Sequence, residues 1–124
     1  MDSREESLKL QSEFKDCQKV LTAIGDETRQ YLLSILIMEK CSGAMVVDIA
    51  AKTNLSRPAV SHHMQILKDA GFVKARKEGT CIYYALDADT DALEKMQILV
   101  GHIDKLIKSE KHDEFIESIK EQEI

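Results

Sequence analysis

The residues best equipped for chemistry stand together in SRPAVSHHMQ, from Ser56 to Gln65, with Lys68, Lys74, Arg76 and Lys77 close behind. Two adjacent imidazoles, a guanidinium, hydroxyls and an amide all form hydrogen bonds, and none of them is acidic. As an enzyme site the set fails. Its best nucleophile–base pair, Cys81 with His63, draws on separate elements and has no loop to hold an oxyanion. The donors suit nucleic acid better. Arg57 can read guanine, Gln65 can read adenine, and Ser56 or Ser61 beside a helix N-terminus can hold phosphate.

Charge sharpens this reading. The 124-residue chain carries a net charge of −5, which taken alone speaks against a polyanionic partner. Between Lys52 and Glu78, however, six cations stand against two acids. That stretch is +4 and the remainder −9. A basic segment within an acidic chain is the footprint of a nucleic-acid contact.

The surrounding elements follow from periodicity and punctuation. Ser56 is a helix N-cap signal, Pro58 tolerates the first turn and Gly71 is a C-terminal breaker. On the helix between them, Val60, His63, Met64 and Leu67 share an inner face. Arg57, Ser61, His62 and Gln65 share the outer one, flanked by Pro58 and Lys68. His62 is therefore expected to face a ligand and His63 to be structural. A short helix, MVVDIAAKT, and a turn, NLS, precede it, which makes a helix-turn-helix over residues 45–70. From Phe72 to Leu86 the period changes to alternation around Gly79, giving a β-hairpin. Lys74, Arg76 and Lys77 on that hairpin can reach DNA backbone or minor groove. A solvated edge strand guarded by lysines is the competing reading.

Two helical stripes flank this unit. Leu10, Phe14, Cys17, Leu21 and Ile24 mark one helix over about 8–24, and Leu93, Met96, Leu99, Val100, Ile103, Leu106 and Ile107 mark another over 91–108. Between them, Asp26 can cap a helix ETRQYLLSILIMEK that is apolar around most of its circumference and should be central. After Lys108 the chain is charged, though Phe115, Ile116 and Ile119 could extend a helix. With 44% hydrophobic and 5% aromatic residues and no Trp, aliphatic helix packing is expected rather than a β-sandwich. The expected fold is a single domain over 1–124, mainly α with a small β-hairpin. A chain this small has little core left to cover both stripes. Pairing Leu10, Phe14 and Leu21 with Met96, Leu99, Val100, Ile103 and Leu106 across a two-fold axis would bury them in a homodimer, and packing of both helices on the core of their own chain is the competing reading. The N-terminus MDSREESLKL is too charged for a signal peptide and no apolar run reaches membrane-spanning length, so a soluble, cytoplasmic protein is expected.

LTAIGDETRQYLLSIL followed by DIAAKTNLSRPAVSHHMQILKDAGFVKARKEGTCIYYAL resembles the ArsR/SmtB family of small bacterial winged-helix repressors. The likeness covers about Val20 to Leu86 and is most specific in LSRPAVSHHMQILKDAGFV. It implies a homodimer joined by its first and last helices, a recognition helix beginning near Ser56 and a wing over 72–86. It also implies operator binding that an inducer, often a metal ion, releases. The metal sites of the family are not matched. Met45 and Val47 stand where one site has Cys-x-Cys, and the other site would use Asp89, Asp91 and His102 but meets Lys105 in place of an acid. Hard oxygen and imidazole donors beside a cation make a poor site, so no cofactor is expected. Cys17, Cys41 and Cys81 form no C-x-x-C motif. They leave two readings, reduced thiols or a redox or metalloid sensor, and the inducer stays unidentified. The rival function is a winged helix used for protein–protein contact without operator binding. It would favour exposed apolar anchors on the outer face rather than Arg57, Ser61, His62 and Gln65.

Overall fold

The computed structural model describes residues 3–39, 43–86 and 91–122. Its helices are α1 (Ser3–Asp16), α2 (Gln18–Ile24), α3 (Glu27–Met38), α4 (Val46–Thr53), α5 (Arg57–Asp69), α6 (Asp91–Ile107) and α7 (Glu110–Glu121). Its strands are β1 (Ala44–Met45), β2 (Val73–Glu78) and β3 (Cys81–Leu86). The mainly helical architecture with a small sheet is as expected.

The core forms where α3, α4 and α5 meet the base of the sheet. Leu32, Leu36, Ile49, Val60, Met64, Leu67, Val73 and Tyr84 are all buried there. Full burial of each large aliphatic side chain is worth about 1.5–3 kcal/mol, so this cluster holds α5 against the rest of the domain. Burial also pushes the Tyr84 hydroxyl above its ordinary pKa.

Three differences from the sequence reading have physical causes. The Leu10–Ile24 stripe is divided at Cys17, whose N–H is shared between Glu13 O at 3.0 Å and Phe14 O at 3.2 Å. Leu21 N–H still reaches Cys17 O at 2.8 Å, so the hydrogen-bond ladder passes through a locally tightened turn. Helix α3 is not enclosed. It packs on α2, α5 and β3, while Tyr31, Ile37 and Met38 remain exposed on its outer side. The sheet has a third strand, ordered β1-β3-β2, in which Ala44 pairs with Tyr84 and Met45 with Tyr83. Two residues are too few for alternation to announce a strand.

The stripes of α1 and α6 meet first within one chain. The two helices pack together, and Glu13 and His102 join them with His102 Nδ1 2.6 and 2.7 Å from the carboxylate oxygens. Leu99 is buried, and Leu10, Leu21, Met96 and Ile103 are half-buried. Phe14, Val100 and Leu106 remain exposed, together with Leu8, Ile98 and Ile107. The tail forms a separate helix, α7, because Ser109 interrupts α6 and caps the new one by accepting the His112 N–H at 3.3 Å. No helix among the described residues is long and apolar enough to cross a membrane.

Candidate nucleic-acid interface

Local rules set the turn between α4 and α5. Asn54 ends α4 in the left-handed region at φ 60°, a conformation that Asn tolerates. Thr53 Oγ1 donates to Ile49 O at 2.8 Å and accepts the Leu55 N–H at 3.3 Å, so the turn's polar groups are satisfied within the motif. Ser56 then caps α5 by accepting the Ala59 N–H at 3.2 Å, a bond worth about 1 kcal/mol to the helix. Its hydroxyl proton stays available to an acceptor outside the helix.

The far end of α5 is closed as tightly. Gly71 N–H reaches Lys68 O at 3.0 Å and Phe72 N–H reaches Leu67 O at 2.9 Å, the paired bonds of a Schellman cap. Gly71 has φ 88°, which a side chain would strain. The chain leaves α5 and enters β2 at once, so the wing is rigidly continuous with the helix.

Between these caps the expected faces are present. Val60, Met64 and Leu67 are fully buried, while Arg57, Pro58, His62, Gln65 and Lys68 are exposed and Ser61 and His63 are half-buried. Arg57 and Lys68 have no acidic partner among the described residues. Gln65 is already engaged, its amide donating to Asp69 Oδ1 at 2.8 Å. The i,i+4 spacing of Gln65 and Asp69 is the ordinary signal for such a pair. To read a base, Gln65 must present its free carbonyl and second N–H, or turn away from Asp69.

In the wing, Gly79 with φ 61° and Thr80 connect Glu78 to Cys81. All of β2 after Val73 is exposed, so the ribbon stands out from the domain. Its cations do not share a face. Lys74 and Arg76 lie on one side and Lys77 on the other, as alternation requires. Arg76 pairs across the strands with Tyr83, its guanidinium 5.1 Å from the ring centroid, and its Nε lies 3.3 Å from Glu78 Oε1. Only the strand register brings Arg76 onto Tyr83, so neither partner could be named from the sequence. Lys52, counted in the basic segment, is drawn aside to Glu39 at 3.2 Å.

Beneath the reading face lies a second polar cluster. Asp26 caps α3 by accepting the Arg29 N–H at 2.9 Å. That bond is the main reason its carboxyl sits below the usual range. Partial burial opposes the shift, and the charge of Arg29 reinforces it. The Arg29 side chain donates to Ala23 O and Thr22 O, and its Nη1 lies 3.3 Å from Nδ1 of His63. His63 thus has the inward, structural position expected of it. His62 beside it is exposed, the two rings 6.0 Å apart.

Among the described residues the donors for a metal are not assembled. His102 is engaged with Glu13, Asp91 is exposed in the first turn of α6, and Asp89 lies outside the described residues. Among the described residues no group of three or more His, Cys, Asp or Glu side chains could hold a metal ion. Cys17 is a buried thiol, Cys81 is exposed on the wing, and Cys41 lies outside the described residues.

Comparison with known proteins agrees with this arrangement. Residues 26–75 match the family described as bacterial regulatory protein, arsR family. A homolog of the cadmium resistance transcriptional regulatory protein CadC from Staphylococcus aureus is 39% identical over 72 residues, 58% of either chain. This chain therefore spans less than two thirds of that relative. The transcriptional repressor SdpR of Bacillus subtilis is 40% identical over 68 residues, 55% of this chain and 72% of SdpR. The solution structure of a homodimeric winged helix-turn-helix DNA-binding domain from Mycobacterium bovis matches with a TM-score of 0.53. It covers 90% of this chain and 93% of that domain at 23% identity, a likeness of fold.

Proposed function

Because the chain belongs to the arsR family of bacterial regulatory proteins, we propose that it is a sequence-specific transcriptional regulator, a dimeric repressor that binds a double-stranded DNA operator until an inducer releases it. One observation carries the reading. The outer face of α5 between its two caps offers Arg57, His62, Gln65 and Lys68 to solvent, opposite a fully buried Val60, Met64 and Leu67. A helix fixed so firmly on one side, with hydrogen-bonding side chains on the other, suits the major groove.

On this reading Ser56, Ser61 and Pro58 position the N-terminal turn of α5 on phosphate. Arg57, His62 and Gln65 meet base edges, and Lys68, Lys74, Arg76 and Lys77 meet the backbone beside them. Residues 45–70 form the helix-turn-helix and 72–86 the wing of a single domain over 1–124. Dimerisation uses helices about 8–24 and 91–108. Phe14, Val100 and Leu106 supply its exposed contacts, Leu10, Leu21, Met96 and Ile103 lie at its edge, and Leu99 supports it from within. The exposed apolar side chains along α1 and α6 favour a second copy as their cover. The site of action is the cytoplasm, where an operator is found. No metal ion is proposed as the inducer, since His102 is held by Glu13 and Lys105 stands where an acid is needed, and the inducer itself is unidentified.

The test is a selection from random duplexes with the purified chain, followed by anisotropy and sedimentation. A dimer should enrich a pseudo-palindrome whose half-sites lie about 10–10.5 bp apart, one turn of DNA, or a multiple of that spacing. A monomer that enriches no sequence overturns the proposal.

A further inference from the structure

We infer that Arg29 is a positioning residue for the recognition helix and acts through the neutral imidazole of His63. The inference rests on the reading that α5 is the element that meets DNA. A single side chain joins three helices here. Arg29 belongs to the first turn of α3, donates to the Ala23 and Thr22 carbonyls that α2 leaves open at its C-terminus, and meets His63 midway along α5. The scaffold of α1 and α2 on one side and the reading helix on the other are thus linked through one guanidinium.

The chemistry of that link fixes a protonation state. A guanidinium carries donors only and keeps its charge at every accessible pH. The contact between Arg29 Nη1 and His63 Nδ1 is therefore a hydrogen bond only if Nδ1 offers a lone pair, which leaves the imidazole neutral with its proton on Nε2. A second proton would set N–H against N–H and cation against cation. The Asp26 carboxylate, which lies near the same pair, is already engaged by the Arg29 N–H. From its own helix His63 has His62 alongside. The charged groups of the neighbouring α4 and β2, namely Asp48, Lys52, Lys74, Arg76, Lys77 and Glu78, are exposed to solvent.

The adjacent histidines therefore divide their tasks, His62 towards DNA and His63 towards the scaffold. In a two-fold dimer the seating of α5 on α2 and α3 sets the separation of the two reading faces, and a specific site requires both faces in register. Random DNA makes no such demand. Loss of the link therefore lowers the preference for an operator over random duplex.

The experiment measures that preference by anisotropy, using a selected site and a random duplex at constant ionic strength and constant pH. R29M should lower the preference about fivefold, with circular dichroism reporting whether it folds. H63Q, whose carbonyl can accept from Arg29, should keep the wild-type preference, and H63L, which cannot accept, should lose it as R29M does. If R29M does not fold, H63Q and H63L decide. An H63L protein that keeps the wild-type preference, or an H63Q protein that loses as much as H63L, overturns the inference while leaving operator binding intact. A wild-type protein with no preference removes the DNA reading itself, and this inference with it.

Discussion

Replacing Arg57 with Ala separates base reading from mere attraction. Arg57 is the first residue of α5, exposed, and without an acidic partner among the described residues. The cap belongs to Ser56, so the fold should barely notice the change, and stability should stay within about 0.5 kcal/mol of wild type. A bidentate bond from a guanidinium to guanine is worth about 1–3 kcal/mol of discrimination. A two-fold dimer loses that bond twice, so the operator should be penalised by about 2–6 kcal/mol if the half-sites add. At about 1.4 kcal/mol per decade this is a loss of affinity between about thirtyfold and about twenty-thousandfold. The assay titrates three duplexes by anisotropy: the selected operator, the operator with the contacted guanine replaced in both half-sites, and random sequence. Wild type should separate the first from the second, and the variant should bind them alike while keeping most of its affinity for the third. Equal losses on all three would make Arg57 a phosphate contact and refute base reading at the start of α5.

The other predictions concern packing, protonation, metal and salt. Leu67→Ala removes a fully buried side chain and should cost about 2–5 kcal/mol in urea unfolding, and a cost below about 1 kcal/mol would contradict the packing of α5. Asp26 has a depressed carboxyl pKa, so its contribution to stability is present above the unfolded value near about 3.9 and is lost as pH falls through the folded value. Asp26→Asn keeps a capping side chain but cannot titrate, and the wild-type advantage in melting temperature should shrink between about pH 5 and about pH 3. An advantage that stays constant across that range would rule out the assignment. Zinc or cadmium ions should leave operator affinity unchanged, and release of the operator by either would show that a donor set exists. Counting Arg57, Lys68, Lys74, Arg76 and Lys77 in each protomer, the slope of log affinity against log salt should be no steeper than about −9. A steeper slope would require phosphate contacts elsewhere on the chain.

What could be read from the sequence was whatever the chain settles within a few residues. Asp26 and Ser56 as caps, Pro58 in a first turn, and Gly71 and Gly79 at positive φ each obey a rule that spans four residues or fewer. The two faces of α5 were legible for the same reason, since a helix with Val60, Met64 and Leu67 in the core must turn Arg57, His62 and Gln65 outward. What escaped depends on partners far along the chain. Glu13 and His102 stand 89 residues apart, and Arg29 and His63 stand 34 apart. No periodicity reports either pairing. The outer side of α3 shows a different limit. Tyr31, Ile37 and Met38 gave that helix the composition of a buried element, but apolar composition cannot say whether another element arrives to cover it. Cys17 gave no warning of the tightened turn because its apolar spacing continues through the interruption.

The acidity of the rest of the chain belongs to the same mechanism as the basic segment. With +4 between Lys52 and Glu78 and −9 elsewhere, the molecule carries an electrostatic dipole that favours one approach to a polyanion and opposes the others. Within the segment, the pairs Lys52–Glu39 and Arg76–Glu78 temper the field locally. Arg57, Lys68 and Lys77, exposed and without acidic partners among the described residues, concentrate the remaining charge at both ends of α5 and near the wing tip. Attraction is then strongest where α5 can enter a groove with its wing alongside. A uniformly basic surface would bind duplexes in many orientations, and its specific contacts would have to compete with all of them. Confining the positive charge to the element that also carries the hydrogen-bonding side chains lets long-range attraction deliver the face that reads.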